Sequence, residues 1–153
     1  MTPRVRPAQL SDNHALAALR AQLWPDAEAS EHLLELDAVL RTGMNGTLPM
    51  AILVSQDESG ALTGFLEVGL RSHADGCDAA RPVGFIEGWF VRESHRKRGV
   101  GRELMRAAED WARAHGSREL ASDALIDNPG SHAAHQAMGF EVVDRCVHLR
   151  KQL

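Results

Sequence analysis

The sequence predicts an α/β fold in which a mixed sheet carries helices on both faces, and three observations predict it. Strand-like and helix-like stretches follow one another in the order strand, two helices, three strands, helix, strand, helix, strand. Within that order, Gly84 to Gly101 (G-F-I-E-G-W-F-V-R-E-S-H-R-K-R-G-V-G) joins an apolar strand to a basic, glycine-punctuated turn and then to a helical pattern. The 153 residues, 44% hydrophobic and 25% charged, are enough for one sizeable core and show no linker or internal repeat. The expectation is a single domain over residues 1–153.

Each element has a local cause. Pro3 to Arg6 is a short first strand. Ser11 or Asp12 caps a helix with Leu16, Leu19, Arg20 and Leu23 at helical spacing. It stops at Trp24, because Pro25 disfavours helical geometry in the residue before it. A second amphipathic stretch holds Leu33, Leu34, Leu36, Val39 and Leu40, with Glu28, Glu31, Glu35 and Asp37 early in it, where acids suit the helix dipole. Gly43 and Gly46 end it. Met50 to Val54 and Leu62 to Leu70 are hairpin partners about an Asp57–Gly60 turn, and Ser72 to Pro82 is a surface loop. Phe85 to Val91 is too short and too aromatic for a helix and reads as a buried strand. Val100 to His115 is a helix burying Leu104, Ala107, Ala108 and Trp111, stopped by Gly116. Glu119 to Ala124 is a strand, Asn128-Pro129 opens a helix that Gly139 ends, and Phe140 to Leu149 is a last strand.

Composition narrows the function. A net charge of −4 gives no electrostatic footprint for nucleic acid and permits a cationic substrate. The run Arg96-Lys97-Arg98 lacks the aromatic interleaving of a nucleic-acid patch. Met1 to Leu10 has no apolar core for a signal peptide and no run approaches membrane-span length, so a soluble cytoplasmic protein without membrane contact is expected. Cys77 and Cys146 lie far apart and outside any CxxC pattern; free thiols are the default and a single bridge stays open. His132 and His135 have a metal-binding spacing but no third ligand, so no metal is expected.

The basic turn is an anion site. The first N–H groups of a helix have no partner, the dipole favours negative charge there, and glycine lets a phosphate approach the backbone. A P-loop spacing does not occur, and a dinucleotide fingerprint fails at Leu104. What fits is Arg-x-x-Gly-x-Gly from Arg96 to Gly101 after an apolar strand. In this the chain resembles the GNAT superfamily of N-acetyltransferases, whose turn holds the pyrophosphate of acetyl-CoA. Asn128, and a helix ending in Gly139-Phe140, continue the resemblance. Leu23-Trp24-Pro25-Asp26, Phe85 to Val91, Ala121-Ser122-Asp123-Ala124, Ser131-His132 and His135 to Phe140 are similar to aminoglycoside 6′-N-acetyltransferases over nearly the whole chain.

The resemblance implies a GNAT fold, a mixed and mostly antiparallel sheet of six to seven strands flanked by about four helices. It also implies transfer of the acetyl group of acetyl-CoA to the 6′-amine of aminoglycosides by a cytoplasmic homodimer. By the same likeness Trp89, Phe90 and Val91 pair by backbone with the pantetheine, and Lys97, Arg98, Gly99, Val100, Gly101 and Arg102 hold the pyrophosphate. Asn128 bonds the pantetheine arm, while Trp24, Glu87, Asp123 and Asp144 contact the aminoglycoside, and the last strand, near the partner, could lend Asp144 to the neighbour's pocket. Where many members have a Tyr that protonates the departing thiolate, this chain has His135, which could donate a proton or simply pack. The segment His73-Ala74-Asp75-Gly76-Cys77 lacks a Tyr ring that relatives carry, which bears on the preferred drugs.

The residues give these roles independent grounds. Glu87 and Asp123 sit in strand patterns, where a carboxylate is costly unless paired with an Arg or complementary to a polycation. Either could take a proton from the attacking amine, directly or through water. Trp24 could be the core end of a helix or a face for a sugar or cation. Two further readings stay open: an acetyltransferase for a polyamine, small amine or protein amine, and a non-catalytic acyl-CoA-binding domain, against which Glu87 and Asp123 argue.

Overall fold

The computed structural model describes residues 2–153. Its strands are β1 (Arg4–Pro7), β2 (Met44–Asn45), β3 (Leu48–Gln56), β4 (Leu62–Arg71), β5 (Val83–Val91) and β6 (Leu120–Ser122). Its helices are α1 (Asn13–Leu23), α2 (Ala29–Thr42), α3 (Val100–Ala114) and α4 (Pro129–Ala137), with 3₁₀ turns at Leu10–Asp12 and Glu93–His95. The sheet runs β1-β3-β4-β5-β6, with β2 on β3; every pairing is antiparallel except β5 with β6. This is the mixed, mostly antiparallel sheet with four helices that the sequence led us to expect.

Period-two alternation sorts the strand residues onto two cores. Ile52, Val54, Phe65 and Phe90 pack with Leu16, Leu19 and Leu36 of α1 and α2. Leu53, Leu66, Val68 and Ile86 pack with Val100, Leu104, Met105 and Ala108 of α3. The alternation breaks once in β5. Glu67 pairs with Gly88 and Val68 with Ile86, so Glu87 is an extra residue in a bulge. Past the bulge Trp89 and Val91 return to the α3 face.

Several expectations shift. Helix α1 does stop at Trp24, whose N–H donates to the Arg20 carbonyl at 2.7 Å. Its start is not side-chain capped: the Asp12 carboxylate instead accepts from Gln9 N–H and pairs with Arg6 at 2.8 Å. Gly43, at φ +66°, ends α2, whereas Gly46 lies in the turn between β2 and β3. The strand expected over Phe140 to Leu149 does not form. Strand propensity extends a backbone but supplies no ladder partner, and this segment pairs with none among the described residues. Val147 and Leu149 are 81% and 91% exposed.

Beneath α1 lies a buried ion pair. Arg20 Nε stands 2.8 Å from Glu67 Oε1, a close ion contact rather than an aligned hydrogen bond, and Nη2 donates to Oε2 at 3.3 Å. Nη1 reaches Glu35 at 3.0 Å. Burial pushes the Glu67 carboxyl above its ordinary range, with the guanidinium opposing that shift. Replacing Glu67 by Leu strands a guanidinium in the interior and should cost about 3–5 kcal/mol in urea denaturation. The double variant Arg20→Met/Glu67→Leu should recover much of that loss; equal instability of the two would contradict the pair's coupling.

Candidate active site

Strand β5 is paired along its whole length on the β4 side, but β6 meets it only at Gly84, Phe85 and Ile86. From Glu87 to Val91 the second edge has no strand partner, and the two parallel strands part there. This opening leads to the N-terminus of α3. Lys97 at φ +60° and Gly99 at φ +84° curl the turn, and the first helical bond runs from Glu103 N–H to the Gly99 carbonyl at 3.0 Å. The N–H groups of Val100, Gly101 and Arg102 precede that bond and are open to an anion. Lys97, Arg98 and Arg102 are exposed and in no ion pair among the described residues. A Cβ built at Gly99 meets nothing within 4 Å, so the approach is clear. Trp89 Nε1 donates to the Gly101 carbonyl at 3.2 Å and ties this turn to β5. A turn of this chemistry fits a pyrophosphate.

On the opposite face a cavity of about 530 Å³ is walled by Trp24, Glu35, Glu67 and Glu87, together with Arg20 and residues of α2 and the β2–β3 turn. The bulge turns both Glu87 and Gly88 toward this side: a Cβ at Gly88 would lie 2.5 Å from Trp24 Cη2. Trp24 is held edge-on by Phe65, with the Arg20 guanidinium 5.0 Å from its ring. Glu87 accepts two bonds from Arg71, Nε to Oε1 at 2.9 Å and Nη2 to Oε2 at 2.8 Å. That guanidinium stacks 3.5 Å over the Phe85 ring. The Glu87 bond raises the Arg71 pKa, and the charge of Asp123 adds to it.

The third part is α4. Asn128 caps it, its Oδ1 accepting from Ser131 N–H at 3.1 Å, which leaves the amide NH₂ to face outward. His135 sits between Trp89 and Phe140, each edge-on at 5.2 Å. Its Nδ1 is 2.7 Å from the Ser131 carbonyl and its Nε2 is 2.8 Å from Ser122 Oγ. Among the described residues no group of three His, Cys, Asp or Glu side chains is placed to hold a metal, and both cysteines are free thiols.

The structure therefore brings Trp24 and Glu87 into one cavity, Trp89 and His135 into contact, and residues 97–102 onto one helix end. Asp123 is exposed just past β6 and does not line the cavity, and Asp144 lies in the unpaired C-terminal segment. Glu35, Glu67, Arg71 and Ser122 were not singled out as site residues in the sequence. Glu67, an acid inside an apolar run, carried the same signal as Glu87; Ser122 entered only as part of the Ala121–Ala124 resemblance, with no role of its own.

Residues 14–140 match the profile of the acetyltransferase (GNAT) family. The chain is 38% identical over 152 residues to the aminoglycoside N(6′)-acetyltransferase type 1 of Klebsiella aerogenes, covering 99% of this chain and 98% of that one. It is 40% identical over 152 residues to the enzyme of the same name from Stenotrophomonas maltophilia, covering 99% and 94%. Among solved structures it superposes on AAC(6′)-Iy, in complex with the bisubstrate analog CoA-S-monomethyl-acetylneamine, with a TM-score of 0.89, 32% identity and full coverage of both chains (100%). The aminoglycoside 6′-N-acetyltransferase AAC(6′)-Ih from Acinetobacter baumannii gives a TM-score of 0.87 at 32% identity, covering 99% of each chain.

The close approach of Gly88 to Trp24 sets the wall of the cavity. Gly88→Ala should displace the indole and destabilise the fold by about 1–3 kcal/mol. Adding Trp24→Phe should restore much of the stability; thermal denaturation of the single and double variants checks it, and an unperturbed single variant would contradict the contact.

Proposed function

The chain belongs to the acetyltransferase (GNAT) family, and on that premise we propose that it transfers the acetyl group of acetyl-CoA to the 6′-amino group of aminoglycoside antibiotics, conferring resistance. The observation that carries this reading is the half-open edge of β5, which runs from an acid-walled cavity to a basic helix end. An anionic cofactor and a polycationic acceptor would meet where β5 and β6 part. The curated relatives named above are aminoglycoside N(6′)-acetyltransferases, and AAC(6′)-Iy has been solved with a CoA–aminoglycoside bisubstrate analog.

In this reading residues 97–102 hold the pyrophosphate, the open edge of Trp89, Phe90 and Val91 pairs with the pantetheine, and the Asn128 amide bonds its arm. Acetyl-CoA supplies an activated acyl group. A backbone N–H near Phe90 or Val91 polarises the acyl carbonyl, and holding both substrates in one cleft supplies much of the acceleration. Trp24, Glu87, Asp123 and Asp144 bind the amino sugar. Glu87 or Asp123 takes the proton of the attacking amine, directly or through water, and His135 belongs to the acid side of the reaction. Arg71 takes one site on each Glu87 oxygen, and the remaining lone pairs stay available to an acceptor.

The working unit is one N-acetyltransferase domain that acts in the cytoplasm, where acetyl-CoA is made, as a homodimer. Two features support the dimer: among the described residues β6 has no partner on its outer edge, and the segment beyond Phe140 exposes Val142, Val143, Val147 and Leu149. Pairing that segment with a second copy would bury Val147 and Leu149 and carry Asp144 to the neighbour's acceptor pocket.

Thiol release from acetyl-CoA with kanamycin or tobramycin tests the activity. Asp123→Asn and Glu87→Gln should each raise the acceptor KM about tenfold or more, since bonds to a charged group are lost. If the residue is also the base, turnover should fall and the acidic limb of the pH profile should move. Unaltered kinetics in both variants would place the acceptor site elsewhere, and a wild type active only on polyamines would overturn the substrate. Sedimentation at micromolar concentration should find a dimer that truncation after Phe140 abolishes; a monomeric wild type would refute the assembly.

A further inference from the structure

We propose that Ser122, rather than the His135 ring itself, hands a proton to the departing CoA thiolate, with His135 resupplying it from behind. The proposal rests on the acetyl-transfer reading but not on which amine is acetylated, because the same sulfur leaves in every case.

The geometry of the imidazole makes the case. Its Nδ1 lies 2.7 Å from the Ser131 carbonyl oxygen. A carbonyl only accepts, so that nitrogen carries a proton in both the neutral and the charged ring. The Ser131 hydroxyl, 3.4 Å from Nδ1, adds a weaker contact. The neutral ring therefore presents Nε2 as a bare acceptor, and Ser122 O–H donates to it across 2.8 Å. When the ring is an imidazolium the bond reverses: Nε2–H donates to Ser122 Oγ, and the hydroxyl proton turns away from the ring, where the Asp123 carbonyl, a weak acceptor at 3.5 Å, competes with a group in the cleft. Trp89 from β5 and Phe140 after α4 clamp the ring at 5.2 Å, so Nε2 faces Ser122. None of the four residues in contact with the ring is charged, and Asp123, one residue beyond Ser122, is exposed.

Position puts Ser122 at the mouth of the cleft. It is the last residue of β6 to pair with β5, opposite Ile86, and stands where the two strands part. Trp89, which touches His135, opens the unpaired stretch proposed to hold the pantetheine. The step balances as follows. The amine lone pair forms the C–N bond, the C–S bond breaks with its electrons going to sulfur, and the Ser122 hydroxyl proton passes to sulfur. The Nε2 proton passes to Ser122 Oγ, leaving neutral His135, which solvent recharges. The amine proton goes to the carboxylate base or water. Ser122 is thus the catalytic residue, and His135 a residue that positions and reprotonates it.

Two measurements test this. In the ligand-free protein, imidazole nitrogen NMR should show neutral His135 protonated at Nδ1, with the Nε2 signal shifting in Ser122→Ala; a ring protonated at Nε2 instead would overturn the relay. In single-turnover thiol release, with any amine the wild type accepts, Ser122→Ala and His135→Phe should each slow the step about a hundredfold. Acetyl-CoA affinity by calorimetry should stay unchanged, and the double variant should be no slower than either single one, as for groups acting as a unit. His135→Phe keeps a ring between Trp89 and Phe140, and Ser122→Thr, which retains the hydroxyl, should regain most of the loss. A Ser122→Ala enzyme at the wild-type rate, or a loss seen only on replacing His135, would overturn the proposal. If aminoglycosides are not acetylated but another amine is, with the same dependence on Ser122, the acceptor reading falls and the relay stands.

Discussion

The cleft of this molecule follows from one constraint: β5 has a neighbour along the whole of one edge and along only three residues of the other. Backbone donors and acceptors on the open stretch need partners, and water or a ligand must provide them. An extended, amide-bearing ligand satisfies them as another strand would. The bulge at Glu87 falls at the same place and swaps the faces of the strand. Without it Glu87 and Trp89, two residues apart, would share a face, and one of the two would lose its place. With it, one short strand serves a polar wall on one side of the sheet and an aromatic clamp for His135 on the other.

Charge is separated across that strand. The end of α3 is basic and its backbone unsatisfied, while the cavity near α1 and α2 is acidic and rests on the Arg20–Glu67 pair. A buried ion pair is a poor source of stability, since desolvating two charges offsets much of their attraction. Its service is positional. Arg20 is fixed by Glu67, Glu35 and the His32 carbonyl, and it lies against the Trp24 ring. The floor of the cavity and its aromatic wall are thereby linked through one side chain.

What could be read from the sequence divides along range. The end of α1 at Trp24, the left-handed stop at Gly43 and the basic turn of α3 depend on neighbours in the chain, and each formed as local chemistry dictates. The Arg20–Glu67 contact spans 47 residues; a charge within each apolar pattern signals that a partner is needed, but neither segment identifies it. Glu87 showed that a partner was needed but not which; the fold supplies Arg71. Ser122 is a small polar residue in a strand, and only the ring brought to it by α4 gives it meaning. The segment after Phe140 has the composition of a strand, yet among the described residues it pairs with none of the sheet edges left open.

Arg71 has a further consequence. Its guanidinium is seated on Phe85 and doubly bonded to Glu87, so that carboxylate is already neutralised before any ligand arrives. A cation that enters there shares the carboxylate with a resident one, at the lone pairs Arg71 leaves free, and does not meet a bare anion. Long-range attraction is muted, and occupancy depends on how well the newcomer's shape fits beside the arginine. The wall is an anion with a built-in counter-ion, and it selects by fit among cations that water would treat alike.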